Sequence, residues 1–127
     1  METCSDSYEW SYCKIRSHRI IFQILPFYCS PHTPWTDFSP VLPQLTKLID
    51  EQYPVLLMGD FNKLALSPFY SRMVTEHGRS QLINQSTTVN DSRLDLIFTD
   101  IPSDRVTSGV IDICWSDHRL VWCNFTL

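Results

Sequence analysis

The sequence predicts an α/β protein in which helices pack against a mixed sheet. Short apolar runs rich in β-branched and aromatic residues alternate with two segments of helical periodicity. The composition, 43% hydrophobic and 13% aromatic, is that of a globular chain rather than a disordered one. A length of 127 residues is enough for one domain. The predicted element order is β-β-α-β-α-β-β-β.

The first two strands are predicted to form a hairpin. The segments YEWSYCKIRS (8–17) and RIIFQILPFY (19–28) are rich in strand-forming residues. The next segment, CSPHTPWTDFSP, has three prolines and is predicted to be a loop. Ser39 then has the features of an N-cap, with Pro40 at the first helical position, and this helix is expected to end near Tyr53. Its apolar face would consist of Val41, Leu42, Leu45, Leu48 and Ile49.

The second half of the chain predicts a buried strand, a helix and three more strands. PVLLM (54–58) is a continuous apolar run, as expected for a strand that is buried on both faces. A second helix is predicted from about Ser67 to Glu76, closed by Gly78. The remaining predicted strands are LDLIFT (94–99), RVTSGVIDI (105–113) and LVWCNFTL (120–127).

The net charge of −4 does not favour a strong non-specific nucleic-acid binder, which normally carries a basic excess. Any contact with nucleic acid would therefore use a local patch or a metal ion. The densest basic cluster, which we interpret as a solvated strand edge, consists of Lys14, Arg16, His18 and Arg19.

The cysteine pattern and the apolar stretches bear on the compartment. There are five cysteines, an odd number, and none are spaced as CxxC, which disfavours a zinc site or a disulfide framework. Reduced, mostly buried thiols in a cytosolic or nuclear protein fit better. The N-terminal residues do not resemble a signal peptide. The longest apolar stretch, IIFQILPFY, is too short to span a membrane. We therefore expect an intracellular protein without a membrane partner.

Asp60 and Asn62 follow the apolar run directly, in the stretch LMGDFNK. In extended backbone, residues at i and i+2 point to the same side, so a carboxylate and an amide would lie side by side. Such a pair can orient a water molecule and hydrogen-bond a phosphate oxygen. Gly59 permits a sharp turn or a close approach of the backbone. The alternative is a turn in which both side chains cap the backbone, and both interpretations stay open.

Asp95 and the pair Asp117–His118 lie at other predicted strand ends. Ser116, Asp117 and His118 do not form a hydrolase triad, because adjacent residues cannot converge on one another. His118 therefore needs a different carboxylate to fix its tautomer, and Asp95 is the best candidate. His118 would then stabilise a pentavalent phosphate, while Asp117 faces a metal or the leaving group. The alternative is a histidine with a purely structural role.

Tyr28 ends the second predicted strand, where its hydroxyl would be within reach of a phosphate. The alternative is an ordinary amphipathic core tyrosine.

Four motifs together resemble the endonuclease/exonuclease/phosphatase superfamily: FYCSPHTP, VLLMGDFN, RLDLIFTD and WSDHRLV. The stretch STTVNDSRLDLIFTD ahead of SDHRLV is most similar to the endonuclease domain of non-LTR retrotransposons. The resemblance extends from about Tyr8 to Phe125. It implies a deoxyribonuclease-like, four-layer α/β sandwich, of which residues 1–127 would be the C-terminal portion. It also implies metal-dependent phosphodiester hydrolysis, with DNA as the expected substrate.

The resemblance implies roles for three residues in the first half of the site. Tyr28 resembles the tyrosine that hydrogen-bonds the scissile phosphate. Asp60 resembles the aspartate that activates or orients the attacking water. Asn62 resembles the partner asparagine that positions the phosphate and the nucleophile.

Three further roles follow for the second half of the site. Asp95 resembles the aspartate that orients the catalytic histidine, and His118 resembles that histidine. Asp117 resembles its acidic neighbour, a metal or hydrogen-bond partner. Mg²⁺ is the implied cofactor, with Asp60 and Asp117 as its expected ligands in this chain.

The superfamily also uses an upstream glutamate to bind Mg²⁺, and no motif in this sequence matches it. Glu9 is not that residue, because it lies on the strand just ahead of the tyrosine strand. We therefore expect the hydrolytic activity of this chain to be impaired by the loss of the N-terminal half. Because the N-terminal half of such a domain normally covers it, the central sheet is expected to expose an apolar face. The expected cover is the missing N-terminal half of the domain or a second copy of this chain.

Two other functions stay open. The chain would be a non-catalytic retroelement remnant or interaction module if the absent glutamate is decisive. It would be an inositol-phosphate or lipid phosphodiesterase if the substrate differs, although we find no extra basic substrate-binding motif.

Overall fold

The computed structural model describes residues 2–4 and 8–127, with side chains for 8–62 and 64–127. These residues form nine strands and three α-helices, together with short 3₁₀ turns at Asn62–Leu66 and Ser103–Arg105. The strands are β1 (Glu2–Cys4), β2 (Tyr8–Ser11), β3 (Cys13–Ser17), β4 (Ile20–Cys29), β5 (Val55–Asp60), β6 (Ser80–Gln81), β7 (Asp95–Thr99), β8 (Val106–Ile111) and β9 (Leu120–Phe125). The helices are α1 (Trp35–Phe38), α2 (Leu42–Leu48) and α3 (Pro68–Thr75).

Seven strands form one mixed sheet, in the order β1-β2-β4-β5-β7-β6, and β3 lies beside β4 in line with β2. The strands β4 and β5 run parallel, and every other pair is antiparallel. The predicted N-terminal hairpin is confirmed, because both β2 and β3 pair with β4. The basic cluster lies on and just after β3, which pairs only with β4 among the described residues, so the predicted strand edge is confirmed.

The remaining two strands, β8 and β9, form a separate antiparallel hairpin. The helices cover one face of the large sheet, where Phe38, Leu45 and Phe69 pack against Leu25 and Phe98. The hairpin covers part of the opposite face. The described residues thus form three layers, and the predicted α/β class with a mixed sheet and flanking helices is confirmed.

The strand β5 lies in the middle of these layers. Leu57 belongs to the core beneath the helices, whereas Leu56 belongs to the core beneath the hairpin. PVLLM is therefore a strand that is buried on both faces, as predicted. The prediction for the next helix is also confirmed. Ser67 caps α3 by accepting a hydrogen bond from Phe69 N at 3.1 Å, and Gly78 follows the helix with φ +64°.

The region between β4 and β5 differs from the prediction. The proline-rich loop contains the short helix α1, and Ser39 ends that helix by donating its backbone N–H to Trp35 O. Ser39 is therefore a C-cap and not the predicted N-cap. The next helix begins after Val41, without a side-chain cap, and it ends at Leu48 instead of near Tyr53. The short strands β1 and β6 were not predicted.

Two other expectations need correction. The sheet face opposite the helices is not simply exposed, because the apolar residues Val110 and Val121 of the hairpin cover Leu56 and Ile97. Apolar exposure lies instead on the outer side of the hairpin, at Leu120 among others.

The described cysteines are free, but they are not mostly buried. Cys13 and Cys114 are exposed, Cys123 is partly buried and Cys29 is buried, whereas the side chain of Cys4 lies outside the described residues. No helix among the described residues is long and apolar enough to cross a membrane.

Candidate active site

Three of the residues singled out by sequence form one row across the large sheet. Tyr28 pairs with Asp60 across the parallel strands β4 and β5, and Asp60 pairs with Asp95 across β5 and β7. Directly paired residues on neighbouring strands point to the same face of a sheet, so these three side chains share a face. It is the face that the β8–β9 hairpin covers. Glu9, exposed on β2, pairs with Tyr28 and extends the row by one strand.

Close packing of two backbones keeps this row aligned. Gly59 has φ +154° and pairs with Phe27 of the neighbouring strand. A Cβ atom at Gly59 would lie 1.7 Å from the carbonyl oxygen of Phe27. Only glycine therefore fits directly before Asp60, in agreement with the close backbone approach considered from the sequence.

Asp60 and Asn62 adopt the turn alternative and not the extended one. The strand ends at Asp60, and Asn62 has φ +45°. Asp60 Oδ1 accepts a hydrogen bond from Asn62 N at 3.2 Å, while Asn62 Nδ2 donates to the carbonyl oxygen of Cys29 at 2.5 Å. The Asn62 side chain is almost fully buried and ties the loop to the end of β4. The second oxygen of Asp60 points elsewhere, towards His118.

His118 brings the hairpin layer into contact with the row. Its Nδ1 lies 2.8 Å from Asp95 Oδ2, which is a hydrogen-bond distance. Its Nε2 lies 3.8 Å from Asp60 Oδ2, which is too long for a hydrogen bond but close enough for a strong electrostatic interaction. One imidazole thus bridges two carboxylates that belong to neighbouring strands. Its side chain is 41% exposed, so it remains accessible from solvent.

Local hydrogen bonds fix the backbone around His118. Its N–H donates to Ser116 Oγ at 3.0 Å, which closes a tight turn before β9. An isolated antiparallel bridge joins His118 to Thr88, in the segment that precedes β7. The carbonyl oxygen of Asp117 accepts a hydrogen bond from Val89 N at 3.0 Å. The histidine is therefore held by the same segment that leads into Asp95.

The protonation behaviour of the site follows from these contacts. Partial burial would lower the pKa of His118, but the hydrogen bond to Asp95 and the negative charges of Asp95, Asp60 and Asp117 outweigh it and raise that pKa. Burial and the charge of Asp95 raise the pKa of Asp60, and the hydrogen bond from Asn62 N offsets this only in part. The site therefore favours a protonated imidazole beside a carboxylate that takes up a proton more readily than usual.

The other two predicted residues lie at the rim. Tyr28 is 42% exposed, and its hydroxyl has no hydrogen-bond partner among the described residues. Asp117 is exposed, and its side chain does not join the cluster of Asp60, Asp95 and His118. The structure thus brings three of the six residues into mutual contact and puts Tyr28 beside Asp60. It orients Asn62 away from the cluster, towards the backbone of Cys29.

Sequence reasoning missed two residues that hold the site together. Thr87 is fully buried, and its hydroxyl accepts hydrogen bonds from the backbone N–H groups of Leu94 and Asp95. Arg119 binds Ser86 through its side chain and Thr87 through its backbone. Only their positions in the sequence could have identified these two residues: Thr87 lies in the STT stretch ahead of the RLD motif, and Arg119 follows His118 directly.

The donor atoms of Asp60, Asp95 and His118 lie within 4.8 Å of one another, so this cluster could hold a metal ion. Two carboxylates and open access to water suit a hard divalent cation such as Mg²⁺, which keeps several of its own waters. The donor set therefore fits a divalent metal. The imidazole would also suit a softer ion.

Comparison with known proteins identifies the fold. No family model and no curated protein matches this sequence. Among solved structures, the chain is similar to an endonuclease/exonuclease/phosphatase family protein from Leptotrichia buccalis C-1013-b, with a TM-score of 0.65 and 19% sequence identity. The match covers 94% of this chain and 54% of that protein. The chain therefore has the mixed-sheet α/β fold of this neighbour and spans about half of its length.

Proposed function

We propose that this chain hydrolyses phosphodiester bonds in a divalent-metal-dependent reaction, and that it is a DNA endonuclease of retrotransposon origin. The observation that carries the proposal is the bridge from Asp95 through His118 to Asp60, at aligned strand ends of this fold. The motif RLDLIFTD followed by WSDHRLV supports the finer assignment to retrotransposon endonucleases and to DNA.

Asp60 and Asp95 are the residues of the cluster that would hold Mg²⁺, since magnesium prefers oxygen ligands. A bound divalent cation would supply Lewis-acid stabilisation of the phosphate oxygens. The metal would also reduce electrostatic repulsion of the substrate, because a chain with net charge −4 otherwise repels a polyanion such as DNA.

His118 provides the positive charge that the reaction needs. Its Nδ1–H donates to Asp95, which fixes the ring so that Nε2 points towards Asp60. Because its pKa is raised, the imidazole stays protonated at neutral pH more readily than a free histidine. Nε2–H can then hydrogen-bond a phosphate oxygen as negative charge develops in the transition state.

Asp60 orients and deprotonates the attacking water. One of its oxygens is held by Asn62 N, so the side chain has a fixed orientation. The Tyr28 hydroxyl lies on the adjacent strand without a partner among the described residues and would donate to a second phosphate oxygen.

Asn62 and Asp117 have less direct roles in this proposal. Asn62 positions the loop after β5 by binding the Cys29 carbonyl, and it positions substrate only through that loop. Asp117 raises the pKa of His118 by its charge. Metal binding by Asp117 remains a prediction, since its exposed side chain lies outside the cluster.

The experiment is nicking of supercoiled plasmid by the purified chain, with Mg²⁺ and with EDTA. We expect metal-dependent nicking that is lost in Asp60→Ala and His118→Ala and retained in the control Asp104→Ala, which changes an exposed aspartate in the Ser103–Arg105 turn. No nicking by a folded wild-type chain would contradict the proposal and favour the non-catalytic interaction module. Hydrolysis of inositol phosphates or sphingomyelin without nicking would favour the lipid or inositol-phosphate alternative.

The predicted association with a second copy of this chain or with an N-terminal half of such a domain is a separate proposal. It is supported by apolar side chains on the outer side of the β8–β9 hairpin, where Ile111 and Leu120 are about half exposed. Light scattering over a range of protein concentrations tests the homodimer. A constant monomer mass would contradict it.

A further inference from the structure

The segment 84–94 connects the two sheets at the candidate active site. Asp95 begins β7 of the large sheet, whereas His118 precedes β9 of the separate hairpin. No ladder of strand pairing joins β7 to β9, so pairing alone does not fix the distance between these two residues. Another part of the chain must do so.

Within this segment, Thr87 makes the hydrogen bonds to the backbone around Asp95. Its side chain has no exposed surface. Its Oγ1 accepts hydrogen bonds from Leu94 N at 3.0 Å and from Asp95 N at 3.1 Å, and it donates to Ser92 O at 3.4 Å. A hydroxyl has one donor and two acceptor positions, so all of them are occupied. The two backbone N–H groups at the start of β7 therefore both donate to this one oxygen atom.

The backbone of Thr87 makes a hydrogen bond next to His118. Its carbonyl oxygen accepts a hydrogen bond from Arg119 N at 2.7 Å, directly after His118. The neighbouring Thr88 forms the isolated bridge with His118. The Arg119 side chain reinforces the connection, because Nη1 donates to Ser86 Oγ at 2.6 Å. Two strands from different sheets thus meet at Thr87.

We propose that Thr87 is a positioning residue that holds Asp95 and His118 at hydrogen-bonding distance across the two sheets. This inference rests on the proposed function only for its catalytic consequence, since the geometric claim concerns the Asp95–His118 contact itself. Without the hydroxyl, the N–H groups of Leu94 and Asp95 would lose a buried acceptor, and the start of β7 would have to shift to find another. A displacement of about 1 Å is enough to lower a rate by about 100-fold.

The test compares Thr87→Val, which removes the hydroxyl at nearly constant volume, with Thr87→Ser, which keeps it. The matched control is Thr99→Val at the other end of β7. Thr99 is also fully buried, and its hydroxyl makes two hydrogen bonds, to Val55 O and from Ile101 N. It does not contact the active site, so Thr99→Val reports the purely structural cost of losing a buried hydroxyl.

The first readout is the downfield proton NMR signal of His118 Nδ1–H, measured at about pH 6, where histidine is protonated, and assigned by its loss in His118→Gln. We expect the signal in wild type, Thr87→Ser and Thr99→Val, and its loss or a large shift in Thr87→Val. An unchanged signal in folded Thr87→Val would overturn the proposal, as would an equal loss in Thr99→Val. Should Thr87→Val not fold, loss of the signal in folded Thr87→Ser would overturn it.

The second readout is the rate of plasmid nicking. We expect Thr87→Val to lower kcat at least about tenfold with KM nearly unchanged, Thr87→Ser to restore kcat, and Thr99→Val to leave it within about twofold of wild type. A fall in kcat that Thr99→Val reproduces would contradict a specific role for Thr87. If the wild-type chain does not nick DNA, the proposed function fails, but the NMR comparison still decides the positioning of His118.

Discussion

His118 Nδ1 lies 2.8 Å from Asp95 Oδ2, although the two residues belong to different layers of the protein. Asp95 is 14% exposed at the start of a sheet strand, and His118 belongs to the turn that precedes the hairpin strand β9. The hydrogen bond is therefore a product of tertiary packing. Its strength can be measured through the protonation of the imidazole.

We predict that replacement of Asp95 lowers the pKa of His118. The wild-type pKa is raised above the usual value of about 6.5, and Asp95 raises it both as a hydrogen-bond partner and as a charge. Asp95→Asn removes the charge, so the imidazole should lose its proton at lower pH. NMR titration of His118 in both proteins provides the measurement. An equal or higher pKa in Asp95→Asn would show that the contact does not control the histidine.

The same raised pKa predicts a pH dependence of stability. The folded protein binds the His118 proton more tightly than the unfolded chain, so this stabilisation is complete below the unfolded pKa of about 6.5. It is lost as the pH rises through the raised folded pKa. We expect the stability advantage of wild type over His118→Gln to shrink across that range. Urea unfolding of both proteins at a series of pH values tests this, and an advantage that grows with pH would contradict it.

We predict that Asp60→Asn weakens binding of Mg²⁺ or Mn²⁺ by about tenfold or more, because it removes one of only two carboxylates from the cluster. Isothermal titration calorimetry gives the affinities. Asp104→Asn is the matched control, since it removes the same charge from an exposed turn outside the cluster. Equal weakening in both variants would mean that net charge, and not ligation by Asp60, governs metal binding.

Asp117→Asn tests the ligand that the sequence predicted and that the structure leaves outside the cluster. An exposed charge acts through solvent and contributes at most about 1 kcal/mol, or about fivefold in affinity. We therefore expect a smaller effect on metal affinity than in Asp60→Asn. Salt should reduce it further. A loss as large as that of Asp60→Asn would show that Asp117 binds the metal directly.

The sequence predicted the elements whose signals are local. PVLLM is apolar throughout because both faces of β5 are covered, and Ser67 and Gly78 carry the cap chemistry of α3. The secondary-structure prediction failed where two local sequence signals competed. Ser39 followed by Pro40 has the pattern of a helix start, yet Ser39 closes α1, because the aromatic residues Trp35 and Phe38 pack into the core and make a helical turn there.

The residue types of the site and the contact between Asp95 and His118 were predictable from the sequence, but the rest of the geometry was not. Periodicity aligned Asp60 with Asn62 on the assumption of extended backbone, but Asn62 has φ +45° and turns its side chain to Cys29. The row of Tyr28, Asp60 and Asp95 depends on strand register, and register is a non-local property that no single segment encodes. The role of Thr87 depends on a contact between two sheets.

We predict that replacement of Gly59, which precedes Asp60, strongly destabilises the folded protein. Gly59→Ala would put a Cβ atom 1.7 Å from the Phe27 carbonyl oxygen, in a backbone conformation with φ +154°. Neither strand can move apart without loss of the β4–β5 pairing that aligns Tyr28 with Asp60. We expect a loss of at least about 3 kcal/mol in the free energy of unfolding, because overpacking and backbone strain add.

Gly78→Ala is the matched control for this change. Gly78 also has positive φ, at +64°, but a Cβ atom there would meet nothing within 4 Å. Its replacement should therefore cost only the backbone term of about 1–2 kcal/mol. Urea unfolding of the two variants separates steric conflict from backbone strain. Equal losses would show that the contact with Phe27 relaxes easily, and the alignment of Tyr28 with Asp60 would then not depend on glycine at position 59.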